Sequence, residues 1–358
     1  MKRLFSLLLF LYTIGVFSQE KIRSLADLKG KKDLKVGLVL SGGGAKGLAH
    51  IAALEAIEKA GVEIDYIGGS SMGAIVGGLY AAGYSAQQLD SIFHATDLEE
   101  IIQDNVPRSA QTFYEKENRD RYMVSLALRD GKFALPAGLT QGVNLYNFLS
   151  QLTYRVRKID DFSKLPIPFL CMATDVETGE EVVLEHGDLA QAIMASGSFP
   201  TLFAPVDVEG RYLTDGGVMN NYPVDEVRAK GMDVIIGVDV QSPLKKRKDL
   251  RSANSVLLQI TGYKIANDMK EKREKTDIYI HPDMSGYNVI SFQDGQAIID
   301  SGRVATKKVL PHLYWLKRHL RKKDSDIINT KIPDSLRISN ITFSGNKHYS
   351  DAYLRGKL

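Results

Sequence analysis

Residues 38–57 of the chain read "LVLSGGGAKGLAHIAALEAI", and this stretch decides the fold. An apolar run ends at three glycines, and apolar residues then recur at helical spacing. A glycine-rich turn between a strand and a helix usually directs backbone N–H groups at an anion. The stretch therefore raises the question of whether that anion is a nucleotide phosphate or a charge that exists only during a reaction.

The flanking sequence repeats the alternation of strand and helix. Buried strands are predicted at residues 34–40, 63–70, 167–176, 180–187 and 233–240, and helices at residues 48–60, 71–83 and 188–196. Gly61 and Gly83 end the first two helices. Strands and helices that alternate with short joints are typical of a parallel sheet with crossover helices, so we predict an α/β fold with a mostly parallel central sheet.

The pattern weakens between about residues 89 and 158. The segment "RYMVSLALRDGKFALP" predicts a hairpin around Asp130 and Gly131, and "VNLYNFLSQLTYRV" predicts an amphipathic helix at residues 143–156. We interpret this stretch as an insertion that lies over the edge of the sheet.

Composition sets broad limits on the class of protein. The 358 residues are 44% hydrophobic and 25% charged, which is ordinary for a globular chain, and the net charge of +3 gives no support for a nucleic-acid partner. The single cysteine, Cys171, excludes an intrachain disulfide and a cysteine-based zinc site. It lies in the apolar run "IPFLCMATDV", where we expect it to be buried.

The first 18 residues have the features of a secretory signal peptide. Lys2 and Arg3 precede an apolar run at residues 4–17, and Val16 and Ser18 occupy the cleavage positions. A membrane anchor is the alternative, but the run is shorter than the about 20 residues that a spanning helix needs. No cysteine follows, which argues against a bacterial lipoprotein. We therefore expect the protein to act in the periplasm, in the outer membrane or at the cell surface, with residues 19–33 as a polar lead-in.

The first motif runs from Gly42 through Gly43, Gly44, Ala45 and Lys46 to Gly47 and fits the pattern G-x-G-x-x-G. A dinucleotide site also needs an acidic residue at the end of the next strand, about 20 residues on. Asp65 is near that distance, but we expect it at mid-strand. A Walker loop is excluded because no Gly-Lys-Ser/Thr follows. The motif alone leaves the anion open.

The second motif is Gly69-Ser70-Ser71-Met72-Gly73, which fits G-x-S-x-G at the end of a predicted strand and the start of a helix. That is the context of a nucleophile elbow, so Ser71 is the candidate nucleophile, whereas Ser70 lacks a glycine two positions later. The alternative is a serine that caps a glycine-rich helix. The preceding strand and both glycines favour catalysis.

The third motif is Asp215-Gly216-Gly217. A serine hydroxyl needs a base to take its proton, and an aspartate can serve when it is held nearby in a partly dry site. Taken alone, Asp-Gly-Gly is a common turn sequence.

The three motifs in this order resemble the patatin-like phospholipase family over residues 34–240. The resemblance implies a three-layer α/β/α sandwich and a Ser–Asp dyad without histidine, with Ser71 as nucleophile and Asp215 as general base. It also implies an oxyanion hole formed by the amides of the Gly42, Gly43 and Gly44 turn. Lys46 takes a place often held by arginine. The implied reaction is hydrolysis of carboxylic esters of phospholipids or related lipids, with no cofactor and no metal.

The sequence leaves three competing hypotheses for the site. His281 follows Asp215 in the order of a Ser–Asp–His triad, although we expect a structural histidine at a strand end, and His50 is expected to pack on a helix face. A dinucleotide-dependent oxidoreductase is the second hypothesis, and an inactive binding module with a hydrolase fold is the third. Residues 145–152 and 198–205 are candidates for an acyl pocket or for the core.

The C-terminal part of the chain changes character. We assign residues 34–325 to the hydrolase domain and residues 326–358 to a linker and the start of a second domain. The tail predicts a strand, a turn at Ser344-Gly345-Asn346 and the start of a helix, and "ISNITFSGNKHYSDAYLRGKL" resembles the opening of a POTRA domain. That resemblance implies an outer-membrane barrel beyond this chain.

Basic residues are concentrated at residues 243–251, 270–275 and 316–323. Such runs usually form solvated helix faces. Contact of these basic helices with an anionic membrane surface is the alternative.

Overall fold

The computed structural model describes residues 33–104, 127–129, 132–134, 138–247, 250, 253–320, 341–343 and 349–356. Internal contacts divide the chain into two units, Met1–Ser325 and Asp326–Leu358. In the smaller unit a short helix follows Ser350, whose Oγ accepts a hydrogen bond from the amide of Tyr353. The predicted turn at Ser344-Gly345-Asn346 lies outside the described residues, and residues 341–343 form no strand.

The strands that the structure describes are β1 Val36–Leu40, β2 Tyr66–Ser70, β3 Ala127–Arg129, β4 Lys132–Ala134, β5 Gly138–Thr140, β6 Phe169–Asp175, β7 Glu181–Leu184, β8 Thr201–Phe203, β9 Val206–Val208, β10 Arg211–Asp215, β11 Val234–Val238 and β12 Ile278–Ile280. The five strands predicted from sequence are present within their predicted ranges, as β1, β2, β6, β7 and β11. Eight of the described strands form the central sheet, in the order β12-β11-β1-β2-β6-β10-β9, with β7 paired to β6. The strands from β12 to β6 are parallel, whereas β7, β9 and β10 are antiparallel to their neighbours.

The helices lie between strands or after β12, and in some places two or three helices follow one another. They are α1 Ala49–Ala60, α2 Met72–Ala81, α3 Ala86–Ala95, α4 Leu98–Ile102, α5 Val143–Thr153, α6 Leu189–Gly197, α7 Val224–Ala229, α8 Ala253–Glu274, α9 Gly295–Lys307, α10 Leu310–Lys317 and α11 Asp351–Arg355. Two 3₁₀ turns, Gly44–Leu48 and Gly216–Val218, follow β1 and β10. Among the described residues, no helix is long and apolar enough to cross a membrane.

Side chains from the two faces of the sheet enter separate cores. Leu38 of β1 belongs to a large cluster that includes residues of α1, α2, α6 and α9. Its neighbour Val39 belongs to a smaller cluster with Tyr222 and with Val227 of α7. Successive strand residues point to opposite faces, so these two clusters place helices on both sides. The fold is therefore a three-layer α/β/α sandwich with a mostly parallel central sheet, as predicted.

Of two predictions about the segment between residues 89 and 158, one is corrected and one is confirmed. Helix α5 packs on α6, which itself lies against β6 and β10, so this part of the insertion covers a face of the sheet rather than an edge. Strands β3 and β4 form the predicted antiparallel pair, with Asp130 and Gly131 outside the described residues.

The described first part of the basic run at residues 243–251 is not a helix face. Residues 243–246 have no regular secondary structure and are exposed. A proline has no N–H to donate, which disfavours a helix through this point. By contrast, residues 270–274 end α8, and residues 316 and 317 end α10.

Candidate active site

The register of β6 brings the second and third motifs together. Ser70 at the end of β2 pairs with Met172, and Asp215 at the end of β10 pairs with the next residue, Ala173. Strand β7 pairs with residues 171–174 of β6 and so takes the opposite edge. Strands β2 and β10 therefore share one edge of β6 and meet head-on at their carboxyl ends.

Ser71 occupies a strained turn between β2 and α2. Its backbone has φ 53° and ψ −126°, a region that residues with a Cβ rarely adopt. The Ser71 amide donates to Ser196 Oγ at 3.0 Å. A Cβ on Gly73 would overlap the carbonyl oxygen of Leu40, so only glycine lets α2 start this close to β1. This geometry is that of a nucleophile elbow.

Ser71 and Asp215 are in direct contact. Ser71 Oγ donates to Asp215 Oδ2 at 2.7 Å, and the amide of Gly217 donates to Asp215 Oδ1 at 2.6 Å. The two residues are only 8% and 3% exposed. The carboxylate is therefore fixed in place with one oxygen on the serine hydroxyl, and no third side chain lies between them.

The surroundings of Asp215 alter its acidity. Burial raises the pKa of the carboxyl group to about 6, although the hydrogen bonds from Ser71 and Gly217 pull the pKa the other way. Burial dominates because it penalises the charged form. A carboxylate with this pKa is a stronger base than an exposed one and is still ionised at neutral pH.

The glycine-rich turn lies against Ser71. A Cβ on Gly42 would come within 2.8 Å of Ser71 Cβ, so this position tolerates only glycine. The Gly42 amide donates to the carbonyl of Asn221 at 3.2 Å, and the Ala45 amide donates to that of Val289 at 2.9 Å. Within the described part of the chain, the amides of Gly43 and Gly44 donate to no protein acceptor.

Lys46 links the glycine-rich turn to the segment that follows β11. It is 6% exposed, and its Nζ donates to Ser242 Oγ at 3.0 Å. Burial lowers the pKa of Lys46 to about 8, against the opposing effect of nearby Asp239. Lys46 therefore holds the turn in place rather than contacting Asp215.

The other motif glycines lie where the chain turns around the dyad. Gly47 lies in the 3₁₀ turn after β1, Gly69 in β2, and Gly216 and Gly217 in the 3₁₀ turn after β10. All three motifs thus converge on Ser71.

The two histidines singled out in the sequence lie elsewhere. His281 Nδ1 is 2.8 Å from the carbonyl oxygen of Asp239, just beyond β12. Strands β11 and β1 separate β12 from β2, a span of roughly 14 Å. His50 is fully buried with Nε2 2.8 Å from the Ser41 carbonyl, and burial lowers its pKa to about 4. His50 is therefore a neutral packing residue.

Asp65 lies at the wrong end of the sheet for a ribose. It precedes β2 rather than standing at mid-strand, and its Oδ2 accepts the amide of Val36 at 2.8 Å. The glycine turn follows Leu40 at the other end of β1, roughly 13 Å away along the strand. The carboxylate that a dinucleotide site would need is thus not beside the turn.

The residues proposed for an acyl pocket differ in how deeply they are buried. Leu149 and Phe203 are core residues, whereas Phe199 and Leu202 are partly buried against that core. Phe148 lines a surface hollow with residues of α3 and α4. The assignment of an acyl pocket to residues 145–152 and 198–205 stays a prediction.

Sequence reasoning missed three residues that support the site. Ser196 holds the Ser71 amide, Asn221 holds the Gly42 amide, and Ser198 accepts the Asp215 amide at 3.0 Å through its carbonyl. Ser196 and Ser198 lie in "MASGSF" and Asn221 in "MNNYP". Small polar residues of this kind give no distinctive local signal, because their role depends on contacts distant in sequence.

Comparison with known proteins gives relatives that agree with the motifs. An uncharacterized NTE family protein of Mycobacterium tuberculosis is 32% identical over 213 residues, which cover 60% of this chain and 51% of that protein. Lysophospholipase NTE1 of Saccharomyces cerevisiae is 27% identical over 305 residues, covering 75% of this chain and 16% of that protein. The chain thus spans about half the length of the mycobacterial relative and a smaller share of the yeast one.

Solved structures show a weaker likeness. VipD from Legionella pneumophila superposes with a TM-score of 0.45 at 14% identity, over 78% of this chain and 67% of that one. ExoU of Pseudomonas aeruginosa, in complex with SpcU, superposes with a TM-score of 0.43 at 16% identity, over 82% of this chain and 54% of that one.

The family assignment rests on sequence. Residues 38–228, more than half of the chain, match the patatin-like phospholipase family, and this range contains all three motifs. The chain belongs to the patatin-like phospholipase family.

Proposed function

We propose that this protein is a lipid acyl hydrolase that cleaves carboxylic esters with Ser71 as nucleophile and Asp215 as general base. The observation that carries the proposal is the 2.7 Å hydrogen bond from Ser71 Oγ to Asp215 Oδ2 at a strained elbow. Family membership supports the reaction class.

In the acylation step, Ser71 Oγ attacks the ester carbonyl carbon while its proton passes to Asp215 Oδ2. The carbonyl oxygen becomes an oxyanion, and we assign the amides of Gly43 and Gly44 to its stabilisation. Gly42 belongs to the same turn, but its amide is engaged by Asn221. Donors of this kind are each worth roughly 100- to 1000-fold in rate.

Collapse of the tetrahedral intermediate breaks the ester C–O bond. The leaving alkoxide takes the proton from Asp215 and departs as an alcohol, which leaves an acyl group on Ser71. In the second half, Asp215 accepts a proton from water as the water attacks the acyl-enzyme. The fatty acid is released and Ser71 regains its proton, so one residue serves as base and then acid in each half.

The descriptions of the relatives and of the family support the proposed substrate class. The yeast relative is named a lysophospholipase, and the family is described as patatin-like phospholipases. We therefore assign phospholipids or lysophospholipids as substrates of this chain.

The test of the dyad is the pair of substitutions Ser71→Ala and Asp215→Asn. Each is expected to lower kcat/KM for a soluble fatty-acyl ester by roughly 1000-fold or more, because each removes one half of the nucleophile–base unit. A fluorophosphonate probe, followed by peptide mass spectrometry, is expected to modify Ser71 in the parent protein only.

Matched controls exclude general damage to the fold. Ser70 is adjacent and buried, and its Oγ has no hydrogen-bond partner among the described residues, so Ser70→Ala is expected to keep full activity. His281→Ala is also expected to keep activity. A folded, active Ser71→Ala protein would refute the assignment, and loss of activity in His281→Ala would instead favour a triad.

We further propose that residues 1–18 direct export and that the tail begins a POTRA-like domain. Residues 1–18 and most of the tail lie outside the described structure, so these proposals rest on sequence alone. Cell fractionation with amino-terminal sequencing tests export: a chain that begins near Gln19 outside the cytoplasm is expected, and an uncleaved cytoplasmic chain would contradict it.

A further inference from the structure

A cluster of exposed apolar side chains lies on α8 and on the segment after β11. Val256, Ile260 and Tyr263 of α8 are 42%, 54% and 47% exposed, and Leu244 is 41% exposed. Residues 256, 260 and 263 follow at intervals of four and three, so they lie on one face of the helix. Single exposed apolar side chains are ordinary, but a group of this kind on neighbouring segments marks an interaction site.

Direct contacts make these two segments one surface. The Gln259 side chain accepts from the backbone amide of Lys245 at 3.0 Å and donates to its carbonyl at 3.1 Å. The Leu244 side chain lies against Gly262, where a Cβ would be 3.7 Å from Leu244 Cδ2. We call the four apolar side chains, Leu244, Val256, Ile260 and Tyr263, the apolar surface.

Cations outnumber anions along the segments that carry the apolar surface. Residues 241–264 contain six lysines and arginines and one aspartate. Lys245, Lys246 and Arg247 follow Leu244 directly and are exposed. An apolar patch bordered by cations complements a membrane surface that presents anionic headgroups above acyl chains.

The apolar surface is connected to the catalytic turn. Ser242 Oγ accepts the hydrogen bond from Lys46 Nζ. Ser242 lies two residues before Leu244, so the Cα atoms of Ser242 and Leu244 are at most roughly 7 Å apart. Lys46 belongs to the 3₁₀ turn directly after Gly42 and Gly43, and Gly42 lies against Ser71. The segment after β11 and the turn after β1 both follow the carboxyl ends of parallel strands, so they lie at the same edge of the sheet.

We propose that the apolar surface and its basic border bind an anionic lipid bilayer and so deliver ester substrates to the edge of the sheet that carries Ser71. The role in delivery rests on the proposed function, whereas binding itself does not. The surface enters the headgroup region with its apolar side chains, and Lys246 and Arg247 contact anionic headgroups.

Binding is tested by co-sedimentation with vesicles of phosphatidylcholine, with and without phosphatidylglycerol, using the full chain in a Ser71→Ala background to prevent hydrolysis. The charge variant is Lys246→Gln/Arg247→Gln, and its matched control is Lys307→Gln/Lys308→Gln, an exposed pair at the end of α9. Each cation at an anionic surface is worth roughly fivefold in partitioning, so the charge variant should bind anionic vesicles roughly 25-fold less well. The control should bind as the parent does.

The apolar part is tested with Ile260→Ser/Tyr263→Ser, and its matched control is Val304→Ser/Tyr314→Ser, since these two side chains are 59% and 50% exposed. Loss of buried apolar area should weaken binding to both vesicle types by about tenfold. With Ser71 restored, the surface variants should lose hydrolysis of vesicle lipid in the same proportion and keep hydrolysis of a soluble ester.

Equal partitioning of surface variants and controls would overturn the proposal. So would a dimer in the parent protein that the surface variants dissociate without any change in vesicle binding, because the occupant would then be a second copy. If the apolar variant does not fold, binding of the charge variant to anionic vesicles alone decides between the proposal and its rejection. An active Ser71→Ala protein would refute the catalytic assignment and leave the partitioning data intact, so the two failures are distinguishable.

Discussion

At the scale of single residues, the reactivity of Ser71 depends on how dry the surroundings of Asp215 are. The carboxyl group is buried, and burial raises its pKa to about 6. With an exposed carboxylate near its usual pKa, proton transfer from a serine hydroxyl would be less favourable. Thus the same burial that costs folding free energy makes Asp215 a useful base.

The pH dependence of catalysis follows from this pKa. Asp215 must be ionised to accept the Ser71 proton, so kcat/KM for a soluble ester should rise with pH through about 6 and level off above it. Below that pH, the rate should fall about tenfold per pH unit. A pH–rate profile measures this, and a profile that is level down to about pH 4, the usual carboxyl pKa, would show that burial does not raise the pKa of the base.

Strain at the nucleophile predicts a stability difference between two inactive variants. The positive φ of 53° at Ser71 is costly for any residue with a Cβ and easy for glycine. Ser71→Gly should therefore unfold with a free energy about 1–2 kcal/mol higher than that of Ser71→Ala. Denaturant titration of both variants measures the difference, and equal stabilities would mean that the elbow stores no strain.

At the scale of elements, much of the fold could be predicted from sequence because its signals are local. The apolar patterns of strand β1 and helix α1, and the glycine that follows α1, are complete within their own segments. Each of the two elements begins only one or two residues later in the structure than predicted. The head-on meeting of β2 and β10 could not be predicted. Each strand pairs with β6, which is distant from both in sequence, and the Ser71 and Asp215 that this brings together are 144 residues apart, which leaves no local pattern.

In the candidate site, too, some features could be predicted from local sequence and others could not. Ser71 and Asp215 stood out in short motifs, because Ser71 has a glycine two positions to either side and two glycines follow Asp215. The engagement of the Gly42 amide by Asn221 could not be predicted, since any of the three amides in the turn looks equivalent in sequence. The run that begins at Pro243 was misassigned to a helix because basic residues alone do not distinguish a helix from an exposed loop.

Helix α8 supports the turn that carries Asp215. Lys272 Nζ donates to Asn220 Oδ1 at 2.6 Å, and Asn220 Nδ2 donates to Glu226 Oε1 at 2.8 Å. The Asn220 amide in turn donates to the carbonyl of Gly216 at 2.8 Å. Asn220 is 3% exposed, so water cannot reach its polar atoms and these hydrogen bonds satisfy them instead.

Removing the ammonium group should weaken this support. Lys272→Met leaves the buried Asn220 carbonyl oxygen without its donor, which should lower the free energy of unfolding by about 1–3 kcal/mol. Lys270→Met, two residues earlier on α8 and exposed, is the control and should change stability little. Equal effects of the two substitutions in denaturant titration would show that Lys272 acts only as part of the helix surface.

At the scale of the whole molecule, the proposed catalytic residues all belong to the unit Met1–Ser325. A chain that ends at Ser325 should therefore keep the parent kcat and KM for a soluble ester. Steady-state kinetics of the shortened and parent chains make the comparison, with circular dichroism to verify folding. A folded but inactive shortened chain would show that Asp326–Leu358 completes the site.

The head-on junction of β2 and β10 also sets when the dyad can first exist. Ser71 leaves the ribosome 144 residues before Asp215. At about 5–20 residues per second, that interval lasts roughly 7–30 s. Throughout it the nascent chain carries the serine without its base, and the contact forms only after β10 has docked on β6. The order of synthesis thus makes β10 the strand that completes the Ser71–Asp215 pair.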